Sequence, residues 1–175
     1  MKQLKRPTRR ALLTLHVIVS VSWLGLALGL LALGIAAYTT EDPVITQAAY
    51  RAMQIVADWL IVPLALLAFV SGVLLSLGTP WGLARHHWVR IKFWLTLVTL
   101  SATVFALRPN IHQAAADGQP DLSLVAAPVV SSTAYLFMTA ISVLKPWGLT
   151  RRGRRLRVLA TSRKTVDERS PAPTA

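Results

Sequence analysis

Cysteine is absent from this 175-residue chain. Its absence excludes disulfides, thiolate metal sites, iron–sulfur clusters and covalently attached c-type haem. It leaves the compartment open, since a thiol-free chain suits any redox environment. Charge is also scarce: 15% of residues are charged, well under the roughly 25% usual in soluble domains. Methionine is limited to Met1, Met53 and Met138, and there are 4 histidines. A copper transporter would be expected to cluster Met or His at its outer entrance, so that class fits poorly. No nucleophile elbow, P-loop, HExxH or paired carboxylate is present.

What is present is apolar. Hydrophobic residues make up 54% of the chain, and the mean hydropathy is +0.51. The charges are clumped, leaving long uncharged stretches, which marks a membrane protein rather than a soluble core. A net charge of +12 raises the question of nucleic acid. The basic residues flank apolar spans instead of lining one surface, so no nucleic acid is expected. An anionic lipid surface is the simpler partner.

Four transmembrane spans are predicted, at about 11–38, 54–77, 88–107 and 124–144. The first exceeds what a ~30 Å hydrocarbon core requires, so it tilts or projects. It is also longer than the apolar region of a secretory signal, about 7–15 residues, and is expected to be retained. Pro63 and Pro128 fall inside spans, where a kink is expected rather than a helix end. The N-terminal arm carries five Lys and Arg, the connection between spans two and three carries three, and Lys145 with the tail carries nine. The other two connections have one each, Arg51 and Arg108. This bias places both termini in the cytoplasm. The expected fold is therefore an all-α bundle of four transmembrane helices over 1–149, multi-pass in a plasma membrane. A basic, partly disordered tail follows over 150–175. Its Arg151, Arg152, Arg154, Arg155 and Arg157 are expected to lie against anionic headgroups or to act as orientation signals.

The string PWGLAR at 80–85 returns as PWGLTR at 146–151, at the same end of spans two and four. Two similar helical hairpins would explain this. The physics of the string is structural: Pro ends the helix, Trp sits at headgroup level, Gly permits the turn and Arg holds the end inside.

An ionisable residue inside a span is costly and a functional candidate by default. His16 is the leading one, with Ser20 and Trp23 on its face at spacings of four and seven. It could ligate haem iron or copper, or relay protons, or simply bond to a neighbouring helix or interfacial water. His86, His87, Arg90 and Lys92 begin span three at about the depth of His16. Arg90 is expected to snorkel to the interface, and for Lys92 both readings stand. Asp58, near the outer end of span two, either pairs with Arg108 or stays solvated. His112 reads as a loop residue. Gly25 and Gly29 form a GxxxG suited to close helix packing, expected within the chain.

On LHVIVSVSWLG in span one and VPLALLAFVSGVLLSLGTPWGLARHHWVRIK across spans two and three, the chain resembles a family of small actinobacterial integral membrane proteins of unknown function. More distantly, it is similar to copper-resistance-D membrane domains and HemJ-type protoporphyrinogen oxidases. The matching positions are His16, Trp23, Trp88 and Lys92. The second resemblance implies haem b binding for His16 and a role in activity for Lys92. Three functions follow as expectations: a structural or accessory membrane protein first, then a haem-binding or redox protein using His16, Lys92 and His86 or His87. The third is a small-solute or metal-ion carrier using Asp58 and His16. Four spans enclose little volume, so a carrier would be expected to act as a homo-oligomer.

Overall fold

The structure, a computed structural model, describes residues 4–78, 86–144, 148–151, 154, 155, 158 and 159. The first PWGLAR copy up to Arg85, Pro146 and Trp147 of the second, Arg152, Arg157 and the tail from 160 onward lie outside the described residues. The described chain is all helical, in four long helices: α1 (Arg6–Thr39), α2 (Pro43–Gly78), α3 (His87–Asp117) and α4 (Ser123–Leu144). Each is long and apolar enough to cross a membrane.

Local chemistry sets their ends. Asp42 caps α2 by accepting from the Val44 amide at 2.8 Å, and Pro43 occupies the first turn, where its missing N–H costs nothing. Gly118 ends α3 in the left-handed region at φ 66°, a conformation glycine adopts without penalty. Asp121 accepts from the Ser123 amide at 2.7 Å and starts α4.

The helices form a ring in which α1 packs on α2 and α4, and α3 closes the ring between α2 and α4. Buried positions follow the helical period: Val19, Trp23, Ala27, Leu30, Gly34 and Ala37 on α1, and Leu124, Pro128, Ser132, Tyr135, Met138 and Ile141 on α4. Leu4 and Leu149 both lie at one end of the bundle. The Leu4 amide donates to the Gly78 carbonyl, and His86 pairs with Leu149. This is the basic end. The described acidic residues, Glu41, Asp42, Asp58, Asp117 and Asp121, belong to the opposite half.

Helices α2 and α3 extend beyond the apolar spans, back to Pro43 and on to Asp117. Each contains one π-helical turn, Ala57–Ile61 and Thr103–Leu107, followed two residues later by a proline, Pro63 or Pro109. A proline ring in a regular helix strikes the carbonyl four residues back. Widening the preceding turn by one residue gives the ring room. Pro128 is handled differently, inside regular helix and fully buried.

Candidate functional site

The polar side chains within the bundle form two clusters, one in each half. In the basic half, His16 on α1 faces α2, with Nδ1 2.9 Å from Ser71 Oγ. Gly72 makes the approach possible: a Cβ there would lie 3.1 Å from His16 Cε1. The serine hydroxyl has one hydrogen, which it directs to the Leu67 carbonyl at 2.6 Å and the Ala68 carbonyl at 3.2 Å. Ser71 Oγ therefore accepts from the imidazole, so the proton sits on Nδ1. In that tautomer the lone pair lies on Nε2, and the ring also approaches the Ala68 carbonyl. A metal-ligating histidine usually has its other ring nitrogen anchored by such a hydrogen bond.

Lys92 comes from α3 and donates to Ser142 on α4 at 2.6 Å, while Ser142 in turn donates to the Met138 carbonyl. Of the two readings of Lys92, the inward one is realised. Its ammonium is close enough for its charge to act on His16. Among the described residues no carboxylate shares this half of the bundle, so the cation is held by a hydroxyl alone. His86 and His87 do not accompany it. The His86 ring lies beside Trp88, with centroids 6.3 Å apart, and His87 is exposed on the outer face of α3. Arg90 is likewise exposed.

Deeper in the bundle, Trp23 stacks on Tyr135 with centroids 4.4 Å apart, and both are buried. The Tyr135 hydroxyl is surrounded by those of Thr99, Thr103 and Ser131. Thr96 donates to the Met138 sulfur at 3.3 Å. Lys92, Thr96, Thr99 and Thr103 thus line one face of α3 at helical spacing, a hydroxyl seam running from Lys92 toward the middle of the bundle. Ser20 is half-buried on α1. Ser132 has a buried hydroxyl with no partner among the described residues.

The second cluster lies in the far half, at the two π turns. Asp58 accepts from Arg108 Nε at 2.5 Å and from His112 Nε2 at 3.1 Å, and Gln54 bonds His112 Nδ1 at 3.0 Å. Asp58 is paired rather than simply solvated. His112 is not a loop residue: it lies on α3, one turn beyond Arg108, and faces α2. The apolar run ends at Leu107, which hid this turn. Ile111 and Ala114 bury it against the bundle. Replacing Asp58 with Asn is expected to loosen α2 from α3 by about 1 kcal/mol, because Arg108 is about half exposed and water screens the pair. Detergent-titration unfolding would measure it, and an unchanged midpoint would count against the tie.

The expected GxxxG contact is absent. A Cβ on Gly25 or Gly29 would meet nothing within 4 Å. On α1 the glycine that allows close approach is Gly34, which lies against the Leu124 carbonyl of α4.

Among the described residues, no group of three His, Cys, Asp or Glu side chains is arranged to hold a metal ion. The fold and clusters together define a four-helix, membrane-spanning class of protein with a histidine–lysine cluster in its basic half. No family model, curated protein or solved structure matches the chain.

Proposed function

We infer that this chain is a multi-pass protein of a bacterial plasma membrane, with both termini cytoplasmic, that binds haem b through His16. The observation that carries the reading is a histidine inside a span long and apolar enough to cross a membrane, its ring held by Ser71 with the lone pair on Nε2. Lys92 supports the same reading: a cation without a carboxylate partner suits an anionic group such as a haem propionate. The resemblance to HemJ-type proteins points to the same two residues. Haem, when bound, would supply one-electron chemistry at its iron. His16 would hold it, Ser71 would keep the imidazole in the ligating tautomer, and Lys92 would balance ligand charge.

The carrier reading has less support. It needs Asp58 and His16 to act together, yet they lie in opposite halves, and Asp58 is committed to Arg108 and His112. The accessory reading, working through helix packing and the basic cytoplasmic face, remains the alternative if no cofactor binds.

The test is an ultraviolet–visible spectrum of detergent-purified protein, oxidised and dithionite-reduced, after expression with ample haem supply. A Soret band that shifts on reduction and is lost in His16→Ala is expected. Ser71→Ala should retain the band at reduced occupancy, roughly tenfold weaker in affinity. A featureless spectrum would overturn the haem assignment.

A further inference from the structure

Helix α3 is the least covered of the four, and its outer face is unlike an ordinary lipid-facing stripe. His87, Arg90, Ile91, Trp94, Leu95 and Val98 line one shallow cavity of about 300 Å³. The lining is ordered along the helix. The polar residues, His87 and Arg90, sit at the basic end, and the apolar ones follow toward the middle. Trp94 is 59% and Val98 61% exposed. From Arg90 to Val98 the groove rises about 12 Å at 1.5 Å per residue, close to the ~15 Å of hydrocarbon in one leaflet of a ~30 Å core.

A uniformly apolar groove would accept any acyl chain. This one has a guanidinium at one end, and among the described residues no carboxylate pairs with it. Arginine presents a planar fork that matches a phosphate. The reach of the groove matches an acyl chain, and its charged end falls at headgroup level if the basic end faces the cytoplasm. We propose that this face of α3 is a binding site for an anionic diacyl phospholipid. Arg90, with His87 beside it, takes the phosphate, and one acyl chain lies along Ile91, Trp94, Leu95 and Val98. The proposal rests on the membrane orientation given above and is independent of haem.

Trp94 provides the readout. The protein is reconstituted in phosphatidylcholine vesicles containing a fixed fraction of either brominated phosphatidylglycerol or brominated phosphatidylcholine. Tryptophan quenching is recorded, and a Trp94→Phe variant isolates the Trp94 signal from that of the other tryptophans. One basic residue at the surface gives about a fivefold preference for the anionic lipid, so Trp94 should be quenched more by the glycerol lipid at equal fraction. The excess should vanish in Arg90→Gln and persist in Arg90→Lys. Equal quenching by both lipids, or an excess that survives Arg90→Gln, would overturn the site. Absence of quenching by either lipid would instead overturn the membrane placement, and the site with it.

Discussion

Alanine at Gly34 is expected to cost the bundle about 2–3 kcal/mol, while alanine at Gly25 or Gly29 should be neutral or slightly stabilising. The reason lies in Pro128. A proline has no N–H to give to the carbonyl four residues earlier, so the Leu124 carbonyl is freed from the α4 ladder. That oxygen is the atom a Gly34 Cβ would strike. In lipid there is no water to satisfy a stray carbonyl, and the bare Cα of glycine lets α1 close over it, with room for a weak C–H···O contact. A methyl group would push the two backbones apart, and neither is the far end of a flexible side chain. Overpacking against backbone typically costs 1–3 kcal/mol, here at the upper end. Gly25 and Gly29 face open space, so there alanine gains helix propensity, about 1 kcal/mol at most. Unfolding by detergent titration should separate the variants by sign. Equal effects at all three glycines would refute the assignment of Gly34 as the close-approach residue.

Trp23→Ala is expected to lower stability by about 3 kcal/mol, and Trp23→Phe by about 1. The ring is 4% exposed and stacks on Tyr135, joining α1 to its neighbour α4. In water such a truncation costs 3–5 kcal/mol. In a bilayer the transfer part shrinks, because lipid tails are as apolar as the core. What remains is the cavity, the lost dispersion contacts and the aromatic pair, itself about 0.5–1.5 kcal/mol. Phenylalanine keeps most of the ring contact. Trp23 lies two turns from His16 on the same helix face, so the alanine variant should also loosen the setting of the imidazole. If Trp23→Ala unfolds within 0.5 kcal/mol of the parent, the core is organised around something other than this pair.

The helical class and the number of spans were legible in the sequence because four uncharged runs of membrane length admit few alternatives: lipid satisfies no backbone group, so each run must be a helix. That His16 and Lys92 lie within spans was legible for a related reason, since a polar group placed inside such a run is costly and stands out. What the sequence alone did not decide was which polar groups meet. Asp58 and Arg108 are separated by 50 residues, and their contact depends on how α2 and α3 pack. His112 was hidden because Arg108–Asp117 is polar. That segment becomes helical through the burial of Ile111 and Ala114 against the bundle and the left-handed Gly118 that ends it. The GxxxG misled because a spacing of four specifies a face of a helix but not which neighbour that face meets. Helix existence is a property of each segment's exchange with lipid. The pairing of Gly34 with the carbonyl freed by Pro128, and that of His16 with Ser71, are properties of the ring of four helices.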